Sequence, residues 1–251
     1  MKVSIVLCTY TLDRFPDFIE AVESVLAQTY DPVEIVLVSD GNDAVAYRMR
    51  EEYGGREGVR IHNNDENRGI SYSRTKGAEL ASGELVAFLD DDDRWLPEKI
   101  SKQVDRFRSG RDDLGVVTVG SRIVDENGIQ IGVKRSSVEG NAIEPLLNGG
   151  IVGSFSRVMV RAEAVARAGL LDESFPSWQD REWYFRLAKH YTFASERTVL
   201  VERRIDASGR ISDDFERKRD VSYPKFIEKH RAFAAEQGPL AERRFVAGLS
   251  K

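Results

Sequence analysis

Short apolar runs and longer amphipathic stretches alternate through the first 120 residues. Val3–Cys8, Glu34–Val38, Val59–Ile61, Leu85–Leu89 and Gly115–Val119 are rich in valine, isoleucine and leucine, as strands buried on both faces require. Between the first two, Phe18, Val22, Val25 and Leu26 recur at helical spacing within Phe15–Gln28. Asp43–Tyr53, Ser71–Ala81 and Pro97–Arg108 read as further helices, and Pro97 suits the first turn of the last one. The alternation predicts an α/β fold, a mostly parallel central sheet with helices on both faces.

The texture changes after Gly120. Ser121–Val133 contains Asn127-Gly128, a pair suited to a hairpin turn. Ser154–Val160 reads as a strand, Arg161–Ala168 as a short helix closed by Gly169, and Gln179–His190 as another helix. Thr198–Arg204 is strand-like, and Asp213–Ala235 predicts a long charged helix. With no repeat, low-complexity tract or Gly/Ser linker, Gly120 divides one compact unit and does not separate two domains. One domain over residues 1–251 is therefore expected: a ligand-reading half (1–120), a second half (121–212) and a helical C-terminal segment (213–251).

The chain has 251 residues, 31% charged, with formal net charge −5. That balance gives no reason to expect a nucleic-acid partner. Cys8 is the only cysteine, which excludes an internal disulfide and a cysteine-based zinc site; in its apolar run it reads as a small buried hydrophobe. No apolar stretch approaches the roughly 18 residues of a membrane span. The N-terminus reads as a first strand and not as a signal peptide, so a cytoplasmic protein is expected. His62, His190 and His230 form no triad or metal spacing, and no GxxxxGK[ST], GxGxxG or GxSxG pattern occurs, which weakens kinase, dehydrogenase and hydrolase readings.

The candidate chemistry begins at "LVAFLDDDDRW", where an apolar run ends in Asp90, Asp91, Asp92 and Asp93. At about 6 Å and an effective dielectric near 20, each carboxylate pair repels by roughly 3 kcal/mol. Hydration, raised pKa values or a cation must offset this. In open α/β sheets ligands bind beyond the carboxyl ends of the strands, and there also lie Thr9-Tyr10 and Asp40. Strand alternation predicts that Asp90 and Asp92 can share one cation or one pocket while Asp91 and Asp93 face elsewhere. Hard oxygen ligands suit Mg²⁺ or Mn²⁺; an EF-hand loop is excluded because Trp95 stands where glycine is required. A solvated acidic loop remains the plain alternative.

Four blocks in order carry a resemblance: "VSIVLCTY", "AVESVLAQTYDPVEIVLVSDGND", "NRGISYSRTKGAELASGELVAFLDDDDRW" and "LLDESFPSWQDREWYFRLAKH". Together they resemble family 2 glycosyltransferases of the GT-A fold. The resemblance implies metal-dependent transfer of a sugar, with inversion, from a nucleotide-diphospho-sugar donor, usually UDP-linked, to an acceptor hydroxyl. It implies that Thr9 and Tyr10 cradle the base, Asp40 accepts a bond from uracil, and Arg74 reaches the ribose or diphosphate. Asp92 then holds Mn²⁺ or Mg²⁺, Asp90 or Asp91 touches the ribose, and Asp180 of "WQD" is the catalytic base.

Each residue also has a local reading: turn chemistry for Asp40, a surface ion pair for Arg74, a helix N-cap for Asp180, core for Trp178. Thr11, Ser39, Thr75 and Gln179 depart from the family pattern. Gln179, replacing a glutamate beside the base, leaves open a nucleotide-sugar-binding partner protein without turnover. A nucleotidyl- or phosphotransferase using the aspartates and a metal is a third reading. From Arg197 onward there are 13 Lys+Arg against 9 Asp+Glu, so this basic segment could make peripheral contact with a membrane carrying a lipid-linked acceptor; a solvated charged helix is the plainer reading of it, and a glycan acceptor stays open. "DASGRIS" at 206–212, with Arg210, resembles a loop closing over donor and acceptor.

Overall fold

The computed structural model describes residues 1–136, 138–148, 150–204 and 218–248. Among the described residues nine strands form one sheet: β1 Val3–Thr9, β2 Val33–Ser39, β3 Val59–Asn63, β4 Leu85–Asp90, β5 Asp93–Trp95, β6 Leu114–Val124, β7 Gln130–Lys134, β8 Val158–Arg161 and β9 Thr192–Arg204. Their order is β3-β2-β1-β4-β8-β6-β9-β5, with β7 beside β6. The sheet is parallel from β3 to β4. Beyond β4 it is mixed, because β8 pairs antiparallel to both β4 and β6 while β9 runs parallel to β6.

Strand residues alternate between two cores, which is why the apolar runs are continuous. Ile5, Leu7 and Leu37 face helices α1 (Phe15–Leu26), α2 (Asp43–Tyr53) and α4 (Lys99–Ser109). Val6, Val36 and Phe88 face α3 (Ile70–Leu80), α6 (Ala162–Ala168), α7 (Gln179–Ala188) and the helices Tyr223–Glu236 and Pro239–Gly248. A short helix, α5, spans Ile143–Leu147. Gly77 lets α3 lie against β1, since a Cβ there would sit 2.3 Å from Val6 Cγ1. No helix among the described residues is long and apolar enough to cross a membrane.

The parallel pairing brings the three polar strand ends together, as the sequence predicts. Thr9 stands opposite Ser39, and Cys8 opposite Asp90. The Asn127-Gly128 turn closes the β6–β7 hairpin with Gly128 at φ +77°. Elsewhere the chain differs from its local pattern. The strand expected from Ser154 begins at Val158, because Phe155–Arg157 forms one 3₁₀ turn. Pro97 lies before its helix, which starts at Lys99 behind Glu98. The strand predicted from Thr198 starts at Thr192 and runs along β6 with register shifts that hide its period. The C-terminal helix begins at Tyr223 after a π-helical turn, Lys218–Ser222; the earlier part expected from Asp213, and the 206–212 loop with Arg210, lie outside the described residues.

Candidate active site

One cleft of about 740 Å³ opens at the carboxyl ends of β1, β2 and β4, and Thr9, Tyr10, Asp40, Arg74, Asp90–Asp92 and Asp180 all line it. Residues 171 positions apart therefore share one cavity. Asp40 is 5% exposed and organises the loop that leads into α3. Its Oδ1 accepts from Asn64 Nδ2 (2.9 Å) and the Arg68 amide (3.1 Å), and its Oδ2 from the Gly69 amide (2.8 Å). Gly41, at φ +69°, lets this loop approach, since a Cβ would lie 2.2 Å from the Glu66 carbonyl carbon. Asp40 is thus a structural anchor, whatever else it binds. Tyr10 is 54% exposed on the rim.

Arg74 projects from α3 into the cleft. Its Nη2 donates to Asp90 Oδ1 at 2.5 Å, and its guanidinium lies 4.2 Å from the Phe155 ring centre. The surface-pair alternative fails, because Arg74 is 11% exposed and pairs within the site. Burial works against ionisation of Asp90, but Arg74 and then Arg203 outweigh it and hold the carboxyl below its usual range.

The aspartate run does not alternate as a strand would. β4 ends at Asp90, the chain turns at Asp91-Asp92, and β5 starts at Asp93. Carboxylate oxygens of Asp90, Asp92 and Asp93 lie within 4.8 Å of one another, a group that could hold a metal ion. Asp93 therefore does not face elsewhere: the turn returns it, fully buried, to the cluster. Asp91 is the one that departs. Its Oδ2 accepts from Thr9 Oγ1 at 2.8 Å, and its Oδ1 lies 3.3 Å from Arg14 Nη2. Arg14 also reaches Asp92 Oδ2 at 3.2 Å.

Burial raises Asp91 to about 6 against the pull of Arg14 and Thr9. Burial together with Asp92 and Asp90 raises Asp93 to about 8, with Arg203 opposing at 3.6 Å. Repulsion inside the cluster is thus relieved by three arginines, Arg74, Arg14 and Arg203, and by the raised affinity of Asp91 and Asp93 for a proton. A divalent cation fits the same set: three hard oxygen donors, two partly exposed and one buried.

Asp180 enters from the opposite wall, in the first turn of α7. It is not the N-cap; that position belongs to Trp178, in the left-handed region at φ 64°, the only non-glycine residue with positive φ among those described. Such a conformation is costly for a bulky side chain and persists only where surroundings enforce it. Here Tyr223 and Phe226 meet the indole edge-on at 6.2 Å, and Ser177 Oγ lies 2.7 Å from Ser222 Oγ. Trp178 is both cleft wall and packing surface. Burial raises the Asp180 carboxyl above its usual range, opposed by the Arg181 amide and by Arg74 and Arg181. A carboxylate so placed is suited to taking a proton.

α7 is held from behind by buried charge. Glu182 Oε1 lies 2.9 Å from Arg186 Nε, 2.9 Å from Lys229 Nζ and 3.1 Å from His230 Nε2. Of the histidines, His230 is buried in this structural network. Cys8 is buried, and its thiol is pushed far up by burial, as a structural cysteine requires. Sequence reasoning missed Arg14, Asp93 and Arg203. Arg14 and Arg203 reach the cluster from segments with no motif; only the unexplained fourth aspartate was a signal for Asp93.

The profile of glycosyl transferase family 2 matches residues 4–162, so the chain belongs to that family. Over 126 residues it is 50% identical to glucosyl-dolichyl phosphate glucuronosyltransferase of Haloferax volcanii, covering 50% of this chain and 39% of that protein. The chain thus spans well under two thirds of that relative's length. An uncharacterized glycosyltransferase of Bacillus subtilis, YwdF, is 28% identical over 194 residues, 76% of this chain and 69% of its own. Staphylococcus aureus TarS in complex with UDP-GlcNAc superimposes on the whole chain and 72% of its own, with a TM-score of 0.74 at 17% identity. A Pyrobaculum calidifontis mannosyltransferase, PcManGT, in complex with GDP-Man and Mn²⁺, gives 0.67 at 15% identity over 98% of this chain and 68% of its own. At those identities the likeness speaks for the fold, which is GT-A.

Proposed function

We propose that this chain is a glycosyltransferase that moves a sugar from a nucleotide-diphospho-sugar, with uridine the favoured base, to an acceptor hydroxyl with inversion. One observation carries the reading: an acidic cluster able to hold a divalent cation and a half-buried carboxylate raised by burial face each other across a single cleft. Thr9, Tyr10 and Asp40 receive the nucleoside, and Arg74 the ribose or diphosphate, where a planar guanidinium makes charge-assisted bonds. Asp91 is engaged by Thr9 and Arg14, and Asp90 by Arg74, so Asp90 or Asp91 meets the ribose by exchanging one of these partners. Residues 1–120 thus read the donor, and residues 121–212 shape the acceptor side.

Asp92, with Asp90 and Asp93, would hold Mn²⁺ or Mg²⁺. When bound, the ion supplies charge neutralisation on the departing nucleoside diphosphate. Asp180 accepts the hydroxyl proton as the acceptor oxygen bonds to the anomeric carbon and the bond from that carbon to the diphosphate breaks. Displacement in one step from the opposite face gives inversion.

A lipid-linked acceptor is supported by what the Haloferax relative is named for, and a glycan acceptor is compatible with the same chemistry. Peripheral contact of the basic C-terminal segment with the cytoplasmic face of a membrane belongs to this proposal. Liposome flotation tests it, since salt-sensitive binding is expected and its absence removes the idea. For the function itself, thermal unfolding with nucleotide sugars, with and without Mn²⁺, is the direct test. A ligand that binds only the folded state raises the midpoint, so metal-dependent stabilisation by a uridine-linked sugar is expected. No shift with any nucleotide sugar would overturn the reading.

A further inference from the structure

Several buried polar atoms in and around the cleft lack hydrogen-bond partners among the described residues, Arg203 Nε and Asn64 Oδ1 on the donor side included. Four buried donor atoms converge near Asp180 without a hydrogen-bond partner among the described residues: Arg181 Nε and the Tyr184 hydroxyl on α7, and Ser154 Oγ and Arg157 Nη2 at the 3₁₀ turn before β8. Ser154, Arg181 and Tyr184 line the cleft. Arg181 and Tyr184, three apart on α7, and Asp180 and Tyr184, four apart, present one helical face. Arg157 lies directly behind the cleft lining: a Cβ on Gly153, itself a lining residue, would meet the guanidinium at 2.8 Å. Its Nε is held by the Val119 carbonyl at 2.7 Å, which fixes the group.

Unpaired buried donors are rare in folded proteins, and a cluster of them calls for a ligand or ordered water. All four atoms can donate, and two belong to guanidinium groups. The complement is an acceptor-only group carrying negative charge. Position narrows this further. Tyr184 lines the cleft together with Asp180, Arg74 and Asp90, and Phe155 stands 6.1 Å from the Tyr184 ring and 4.2 Å from the Arg74 guanidinium. The Tyr184 hydroxyl therefore belongs to the part of the cleft between the proposed base and the diphosphate side, which the transferred sugar would occupy. Tyr184 is 2% exposed and Arg157 is 4% exposed, so a charged group reaching them loses its water and needs these bonds.

We infer that Ser154, Arg157, Arg181 and Tyr184 form an oxyanion subsite, which takes a carboxylate on the transferred sugar. The inference rests on the nucleotide-sugar reading and names the substrate class within it. A phosphate on the acceptor shares the same chemistry and is separated by experiment.

Isothermal titration of the whole chain with UDP, UDP-glucose and UDP-glucuronic acid, each with Mn²⁺, tests it. UDP-glucuronic acid is expected to bind at least tenfold more tightly than UDP-glucose. Tyr184→Phe and Ser154→Ala, which remove one oxygen each and keep the packing, are expected to lower that ratio three- to tenfold; the ratio cancels any general loss of fold. Inorganic phosphate binding to the UDP complex, with no preference for the acidic sugar, would keep the oxyanion subsite and move its ligand to the acceptor. Equal affinity for both sugars and no phosphate binding, in wild type and variants alike, would overturn the subsite. Failure of UDP itself to bind would sink the nucleotide-sugar reading, and this inference with it.

Discussion

The β1–β2–β4 wall and the α7 wall enclose the same cleft but are built on opposite principles. On the first, charge is met by charge: Arg74 pairs with Asp90, Arg14 with Asp91 and Asp92, and Asp40 accepts from a loop amide at each oxygen. On the second, Trp178 holds a disfavoured backbone, Asp180 is raised by burial, and donor atoms of Arg181 and Tyr184, with Ser154 and Arg157 beside them, have no hydrogen-bond partner among the described residues. The first wall is the more fully ion-paired, although Arg203 Nε and Asn64 Oδ1 there also lack hydrogen-bond partners among the described residues. The second carries backbone strain and unmatched donors together, and the proposals above seek specificity and turnover there.

The largest effect expected from breaking this contrast is at Asp180. Asp180→Asn keeps the shape and removes the proton acceptor, so transfer should fall by about 10²–10⁴-fold while donor affinity changes little. Parallel turnover and titration measurements check it; equal losses in both would place Asp180 in binding instead.

Glu182 comes next. Its carboxyl is buried, but His230, Arg186 and Lys229 overcome burial and hold it down at about 2. A carboxyl depressed from 4.5 to about 2 contributes roughly 3 kcal/mol. That contribution is present in full above the unfolded value near 4.5 and is lost as pH falls towards 2. Glu182→Gln should lower stability by about that amount at pH 7 and flatten the acid limb between pH 4.5 and 2. Glu34 and Asp172, also held down at about 2, retain their share of the limb. Chemical denaturation at several pH values gives the result.

On the first wall, Gly41→Ala forces a side chain into φ +69° against the loop Asp40 anchors. A loss of about 1–3 kcal/mol is expected, read as a lowered urea midpoint. The smallest effect belongs to Arg48→Ala on exposed α2, whose pairs with Glu51 and Glu52 are solvent-screened. Less than about 1 kcal/mol should be lost.

The same contrast explains what the sequence discloses. Buried parallel strands write continuous apolar runs, and their ends announce where Thr9, Asp40 and Asp90 meet, so the first wall is legible residue by residue. Asp93 was misplaced because strand alternation does not survive the turn at Asp91-Asp92. Arg14 precedes α1, where no periodicity sets side-chain direction, and Arg203, at the end of β9, meets Asp93 only through the β5–β9 pairing, which no local pattern discloses. The second wall depends on distant partners: Trp178 owes its conformation to Tyr223 and Phe226, and Arg157 its position to Val119. No local pattern encodes those pairings.

Titrating Mn²⁺ by electron paramagnetic resonance into wild type and Asp92→Ala, with and without UDP, probes the acidic cluster most directly. Wild type should take up one ion, more tightly when UDP is present, and Asp92→Ala should lose most of that uptake. Ion binding that ignores both UDP and Asp92 would contradict a shared cation and diphosphate site.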